Sequence, residues 1–196
     1  IETSKKPLNG KDIISQTSQL LERTIPKRIN VKRLLAPELH TVNADPVQIE
    51  QVIMNLAINS RDAMTDGGDL IIETSNVIFK QGHLFDEGLF DGDYILIKVA
   101  DTGSGMEPEI IEHIYEPFFT TKEVGKGSGL GLPTVFGIVK QHGGAILCDS
   151  RKDEGTTFRI YLPALEYSIP DDDHSDQFEI QPEGTETILI VDDEYF

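Results

Sequence analysis

The sequence predicts one mixed α+β domain followed by a separate C-terminal segment. Apolar residues recur with helical spacing around residues 45–65 and 132–139, whereas residues 69–79 and 92–100 form short apolar runs typical of strands. The chain has 196 residues, of which 38% are hydrophobic, and this composition supports a single core. After residue 165 acidic residues and prolines replace the apolar pattern.

Residues 10–25 are predicted to form a helix that ends before Pro26. Strand patterns at residues 29–35 and 39–43 are expected to pair with each other. The acidic, glycine-containing residues 81–91 separate the two longer strands and are predicted to form an exposed loop. A further helical pattern covers residues 109–114.

The helix predicted at residues 45–65 has clear start signals. Asp45 is a good N-cap, Pro46 suits the first helical position, and Gln48 occupies the position of a capping-box residue. One face of this helix is predicted to be core and contains Ile49, Val52, Ile53, Leu56 and Ala63.

Asn55, Asn59 and Asp62 form a second stripe beside this apolar face. Asparagine is a poor helix former, so helix stability does not explain the stripe. Side-chain carbonyl oxygens on a rigid helix can bind a hard cation that already carries phosphate oxygens. The alternative is an ordinary polar face directed toward water.

Two glycine-containing motifs adjoin regular elements, one after a strand and one before a helix. Asp101 ends a strand and is followed by Gly103 and Gly105; its carboxylate could accept a hydrogen bond from an exocyclic amine, with the backbone passing close to the ring. The alternative there is a plain turn. Residues 125–131 are rich in glycine and precede a helix, whose free N–H groups and dipole favour phosphate. No Gly-Lys-Ser/Thr sequence ends this run, so it is not a Walker A motif.

Five motifs together resemble the ATP-binding catalytic domain of bacterial sensor histidine kinases, over roughly residues 8–163. That domain belongs to the fold group shared with type II topoisomerases, 90-kDa chaperones and mismatch-repair ATPases. The motifs are NLAINSRDA (55–63), DTGSGM (101–106), EPFFTTK (116–122), GSGLGL (127–132) and GT (155–156). The resemblance implies a two-layer α/β sandwich of the Bergerat type. Its mixed sheet has helices on one face, and ATP binds under a mobile lid over about residues 116–129.

The resemblance also implies roles for individual residues. Asn59, and with it Asn55, would hold Mg²⁺ against the phosphates of ATP. Asp101 would bind the adenine amine with support from Thr156. Lys122 would neutralise phosphate, and Asn59 and Lys122 are the predicted catalytic residues. The other predicted nucleotide-binding residues are Asp62, acting through water or backbone, and Gly103, Gly105, Phe118, Thr121, Lys126, Gly127, Ser128, Gly129, Leu130, Gly131 and Leu132.

Some of these positions carry alternatives. Arg61 is expected to project away from the asparagine stripe. Phe118 and Phe119 are either core residues or, as the resemblance favours, a lid anchor that contacts the phosphoacceptor domain. The topoisomerase and chaperone relatives place a glutamate one turn before the magnesium asparagine to activate water. Asn55 stands there in this chain, and an amide cannot act as a general base.

The function implied is therefore transfer of the ATP γ-phosphoryl group to a protein histidine, for relay to a response-regulator aspartate. ATP hydrolysis and nucleotide sensing without chemistry are the alternatives. The five histidines, His40, His83, His113, His142 and His174, lack the sequence context of a phosphoacceptor. We therefore expect the acceptor on a dimerisation domain upstream of Ile1, in a homodimeric parent protein with a receiver domain as partner.

The net charge of −17 argues against nucleic-acid binding and against direct contact with anionic membranes. No transmembrane run or signal peptide is recognised, so a cytoplasmic location is expected, although the parent could be membrane-anchored. Cys148 is expected to be buried without a disulfide. The domain is predicted to span residues 1–165 and an acidic linker residues 166–186. Residues 187–196 resemble the first strand of a receiver domain, with the alternative of a last strand of the kinase domain.

Overall fold

The computed structural model describes residues 4–10, 17, 21, 24–80, 89–122 and 127–165. The predictions for the linker, for the receiver-like segment and for Lys126 lie outside these residues. So do most of the predicted helix at 10–25 and loop at 81–91.

A five-stranded mixed sheet forms the centre of the fold and confirms the predicted fold class. Its strand order is β2-β4-β5-β7-β6; β2 runs parallel to β4, and the other neighbours are antiparallel. The strands are β2 (Ile29–Leu34), β4 (Gly68–Phe79), β5 (Gly92–Asp101), β6 (Ala145–Arg151) and β7 (Gly155–Pro163).

A separate two-stranded sheet contains β1 (Lys6–Asn9) and β3 (Thr41–Ala44). The predicted pairing of residues 29–35 with 39–43 is therefore wrong. The connection between these two segments does not form a hairpin turn and is hydrogen-bonded to β4. Ala36 N donates to Thr74 Oγ1 at 3.0 Å, and His40 N donates to Asn76 Oδ1 at 2.9 Å. These hydrogen bonds hold the connection against β4, and β3 pairs with β1 and not with β2.

Three helices have described bounds: α1 (Pro46–Ala63), α2 (Pro108–Ile111) and α3 (Gly131–Gln141). The described residues of the predicted helix at 10–25 that are helical are Gly10, Thr17, Leu21 and Thr24. Asp45 caps α1 as predicted, since its Oδ1 accepts from Val47 N at 3.0 Å and from Gln48 N at 3.4 Å. The capping-box prediction is wrong, because Asp45 N donates to His142 Nε2 at 3.0 Å and Gln48 Oε1 has no hydrogen-bond partner among the described residues.

The carboxyl end of α3 is a Schellman motif, which directs the chain into β6. Gly143 has φ of +71°, its N–H donates to Lys140 O at 2.9 Å, and Gly144 N donates to Val139 O at 3.0 Å. A side chain at position 143 would be strained in this conformation.

The main core lies between one face of the sheet and the two longer helices. It includes Ile53 and Leu56 of α1, Val135 and Val139 of α3, and alternate residues of β5 such as Ile97, all nearly inaccessible to solvent. A smaller cluster around Leu89, Tyr94 and Tyr161 lies apart from this core. The packing places α1 and α3 side by side above the carboxyl end of β5, where the predicted site residues meet.

Candidate functional site

A cavity of about 490 Å³ opens between α1, the first turn of α3 and the end of β5. Its volume lies within the usual range of small-molecule sites. Most of the sequence-predicted site residues line it: Asn55, Asn59, Asp62, Asp101, Gly105, Thr121, Lys122, Gly127, Ser128, Gly129, Gly131, Leu132 and Thr156.

Three described candidates do not line the cavity. Gly103 packs against α1, where an added Cβ would lie 2.8 Å from the Ala63 carbonyl oxygen. Phe118 is 74% exposed, and Leu130, the N-cap of α3, is 42% exposed. The cavity therefore gives no support to nucleotide contact by these three residues.

The asparagine stripe of α1 faces the start of α3. Asn55 Nδ2 donates to Gly131 O at 3.5 Å, and Asn59 Nδ2 would lie 3.8 Å from a Cβ added to Gly131. Leu130 provides no side-chain cap for α3, so the first N–H groups of this helix have no side-chain acceptor at the N-cap. The positive end of the helix dipole lies beside the two amides. This end of the cavity is suited to an anion.

Asp101 is buried at the other end of the cavity, with 8% of its surface exposed. Oδ1 accepts from Gly103 N at 2.9 Å and Thr156 N at 3.2 Å, and Oδ2 accepts from Ser60 Oγ at 2.7 Å. A carboxylate has about four acceptor positions. Oδ2 therefore keeps one position for a donor in the cavity, such as an exocyclic amine.

The glycines after Asp101 allow close backbone packing, and the predicted close approach of this backbone to a ring stays a prediction. Gly105 has φ of +59°, and a Cβ there would lie 1.8 Å from the Arg151 carbonyl oxygen. The same added Cβ would lie 3.1 Å from the Gly155 carbonyl oxygen. The loop after β5 is thus fixed against the β6–β7 turn, and this packing fixes where the carboxylate lies.

Asp62 is held between two cations. Its Oδ2 accepts from Lys122 Nζ at 2.6 Å, while Oδ1 accepts from Arg61 Nε at 2.9 Å and Nη2 at 2.7 Å. Partial burial disfavours the charged carboxylate, but the hydrogen bonds from Lys122 and Arg61 outweigh it and hold the pKa of Asp62 below its ordinary value. Arg61 also lines the cavity, which sequence reasoning did not expect.

The described ends of the predicted lid contact each other. Phe118 N donates to Gly129 O at 3.0 Å, and Phe119 lines the cavity beside Thr120. Phe118 and Phe119 therefore point to different environments: Phe119 contributes to the cavity wall, while Phe118 is available at the surface.

The sequence reasoning missed the hydroxyl group that orients Asp101 and the apolar wall of the cavity. Ser60 is 2% exposed, and its position four residues after Leu56, on the apolar face of α1, was the available signal. Ser150 was missed too: its Oγ lies 2.9 Å from Thr156 Oγ1. The apolar wall residues are Ile58, Met106, Ile110, Ile114 and Phe158.

Cys148 is a free cysteine with intermediate exposure on β6, somewhat less buried than expected. Burial, together with the neighbouring Asp149 and Asp101 charges, raises the pKa of its thiol to about 12. The thiol is therefore protonated at neutral pH and unreactive as a nucleophile.

Comparison with known proteins identifies the family to which this fold and cavity belong. Residues 44–166 match the family described as histidine kinase-, DNA gyrase B- and HSP90-like ATPase. The chain belongs to this family of ATP-binding domains, and its sequence relatives are sensor histidine kinases.

Three comparisons illustrate the relationship. The chain is 44% identical over 191 residues to sensor kinase CckA of Brucella abortus (strain 2308), covering 93% of this chain and 20% of that protein. The nucleotide-free catalytic domain of histidine kinase ThkA matches with a TM-score of 0.66 and 28% identity, over 82% of this chain and 98% of that domain. Full-length ShkA in complex with AMPPNP matches with a TM-score of 0.68 and 25% identity, over 86% and 33% of the respective chains.

The chain thus spans only a fifth of the length of its curated relative CckA. Within the described residues, no helix combines the length and apolar character required to cross a bilayer.

Proposed function

We propose that residues 1–165 are the ATP-binding catalytic domain of a two-component sensor histidine kinase. One observation carries the proposal: the buried Asp101 carboxylate keeps a free acceptor position at one end of a cavity whose other end combines amides with a helix amino terminus. An adenine amine suits the first end, and a polyphosphate suits the second.

Within this proposal the chain's own residues divide into two groups. Asp101, oriented by Ser60 and by the backbone of Thr156, binds the adenine amine. Asn59 and Asn55 hold Mg²⁺ with their side-chain oxygens, because a hard cation prefers oxygen ligands. The bound ion would neutralise charge on the phosphates.

The phosphate end is formed by the backbone of Gly127, Ser128, Gly129 and Gly131, together with Lys122. Glycines allow the backbone to approach phosphate closely, and lysine contributes a positive charge where charge develops during transfer. Lys126 remains a proposed contributor outside the described residues. The complex of ShkA with AMPPNP supports a nucleotide in a domain of this fold.

The phosphoryl acceptor is proposed to be a histidine on a separate dimerisation domain, with a receiver domain as the later acceptor. The names of the relatives support this assignment, since CckA is called a sensor kinase. Residues 166–186 are proposed as a linker and residues 187–196 as the first strand of a receiver domain. Hydrolysis is disfavoured because Asn55 is an amide that donates to Gly131 O and cannot activate water.

Nucleotide selectivity tests the assignment of Asp101. Wild-type protein should bind ATP in preference to GTP, because guanine presents a carbonyl oxygen where adenine presents an amine. Asp101→Asn should weaken ATP binding by about 1–3 kcal/mol, the usual effect of disturbing a buried hydrogen bond. Isothermal titration calorimetry measures both affinities.

Asp69→Asn is a suitable control. Asp69 is a surface carboxylate in β4 whose side chain pairs with Lys32 at 2.8 Å, and neither residue lines the cavity. It should leave ATP affinity unchanged. Equal affinities of the wild type for ATP and GTP would show that Asp101 does not bind adenine.

A further inference from the structure

The described chain places a carboxylate beside the cations that a nucleotide phosphate would need. Asp62 accepts from Lys122 through one oxygen and from Arg61 through the other, at 2.6–2.9 Å. The side chains of Asp62, Lys122 and Arg61 are only 27%, 34% and 32% exposed, so these contacts are partly shielded from solvent. All three residues line the same cavity as Asn59.

The position of Asp62 on α1 explains why this contact concerns phosphate. Asp62 follows Asn59 by three residues, so both side chains lie on one helix face. Lys122 comes from the segment opposite, sixty residues further along the chain. The Asp62 carboxylate is therefore the anion that lies between Arg61 of α1 and Lys122 across the cavity.

We propose that Asp62 is an affinity-setting positioning residue, an internal counter-anion that competes with the nucleotide's phosphates for Lys122 and Arg61. This proposal rests on the proposed function and deepens it. It replaces the expectation that Asp62 contacts nucleotide through water or backbone. The carboxylate orients both cations toward the cavity, and a polyphosphate must displace it from them.

The physical consequence is a penalty that depends on ligand charge. A phosphate that binds Lys122 breaks the partly buried ion pair between Lys122 and Asp62. The unpaired Asp62 carboxylate then lies close to the negative charge of the phosphate. Removing the carboxylate charge should therefore favour ligands in order of their phosphate number. A ligand without phosphate does not need the cations, so its affinity should be unaffected.

The test is calorimetric titration of wild type and Asp62→Asn with ATP, ADP, AMP and adenosine. The titrations are run with Mg²⁺ and again with EDTA, so that the readout does not depend on the ion. We expect Asp62→Asn to bind ATP about two- to fivefold more tightly than wild type, the scale of a partly exposed ion pair. The gain should decrease from ATP to AMP, vanish for adenosine, and shrink at high salt because the interaction is electrostatic.

Three further variants isolate the mechanism. Asp62→Glu keeps the charge and should restore wild-type affinity. Lys122→Gln should weaken ATP binding and, combined with Asp62→Asn, should remove most of the gain, which a double-mutant cycle measures. Glu73→Gln is the matched control: Glu73 pairs with Lys98 at 3.0 Å with similar exposure, but neither residue lines the cavity.

The outcomes separate this proposal from the function on which it rests. Weaker ATP binding by Asp62→Asn would mean that the carboxylate assists the nucleotide or its ion, and would overturn the proposal while leaving ATP binding intact. An equal change for adenosine and ATP would indicate a merely structural role and would also overturn it. Failure of the wild type to bind either ligand would overturn the proposed function and this proposal together.

Discussion

Ser60 shows how a single side chain determines the orientation of the proposed adenine-binding group. Its hydroxyl is buried and donates to Asp101 Oδ2 at 2.7 Å, while two backbone N–H groups occupy Oδ1. Because these three donors fix the carboxylate plane, the remaining acceptor position on Oδ2 points in one direction. The proposed recognition of adenine therefore depends on a residue that is itself 2% exposed.

Ser60→Ala should weaken ATP binding and reduce discrimination against GTP, while leaving the protein folded. A hydrogen bond to a charged group contributes about 1.5–3 kcal/mol, so its loss should weaken ATP binding by roughly tenfold and by at most about 150-fold. Calorimetry with ATP and GTP measures the selectivity, and urea unfolding reports stability.

Two comparisons make the Ser60 prediction specific. Ser60→Thr keeps the hydroxyl and should retain more of the selectivity than Ser60→Ala. Ser75→Ala, on β4 and outside the cavity, should change neither affinity. An unaltered ATP-to-GTP ratio in Ser60→Ala would contradict the role assigned to the hydroxyl.

At the scale of elements, His142 joins the two helices that form the cavity. Its Nδ1 lies 2.8 Å from the Ile138 carbonyl oxygen, which can only accept, so Nδ1 carries the proton. Nε2 is then free to accept from Asp45 N at 3.0 Å. One neutral ring thus joins the carboxyl end of α3 to the N-cap of α1 and helps hold both helices in register above the sheet.

His142→Phe should destabilise the protein by about 1–3 kcal/mol, because a ring of similar size leaves the buried Asp45 N–H and Ile138 carbonyl without this partner. Urea denaturation measures the change in the free energy of unfolding. The matched control is His113→Phe: His113 is 48% exposed and pairs with Glu116, and exposed ion pairs contribute little. Equal stability of the two variants would show that the His142 bridge is not important.

At the scale of the whole molecule, the sequence predicted elements and motif positions better than contacts. The asparagine stripe, Asp101 and the glycine run are visible because each depends on local spacing, and the structure brings them to one cavity. The contacts that complete the site join distant residues. Ser60 with Asp101, Asp62 with Lys122 and Asp45 with His142 are separated by 41, 60 and 97 residues.

Local patterns cannot reveal such contacts, because they report periodicity and capping and carry no information on which segments meet. The capping-box prediction illustrates this limit. Gln48 has the right spacing from Asp45, yet the Asp45 N–H donates to a histidine from a different helix. The strand pairing of residues 29–35 with 39–43 failed in the same way, since side chains of β4 capture the connection.

The groups of residues 1–196 that could accept the γ-phosphoryl group of ATP, or activate water to accept it, can be considered together. His142 is buried with both ring nitrogens engaged, so it is not accessible to a nucleotide phosphate. The sequence contexts of the five histidines differ from that of a phosphoacceptor. Asn55 stands where a hydrolytic relative has a general base. The chain should therefore bind ATP without an efficient destination for the γ-phosphoryl group.

We expect incubation of residues 1–196 with γ-labelled ATP to give neither acid-labile protein label nor phosphate release above the uncatalysed background. Adding a cognate dimerisation domain, fused or separate, should produce labelling of that domain, because the acceptor is then positioned at the phosphate. A dimerisation domain whose acceptor histidine is changed to glutamine is the control, and it should remain unlabelled. Acid-labile label on the isolated chain would show that one of its own histidines accepts phosphate, and rapid phosphate release would show that water is activated without a base at Asn55.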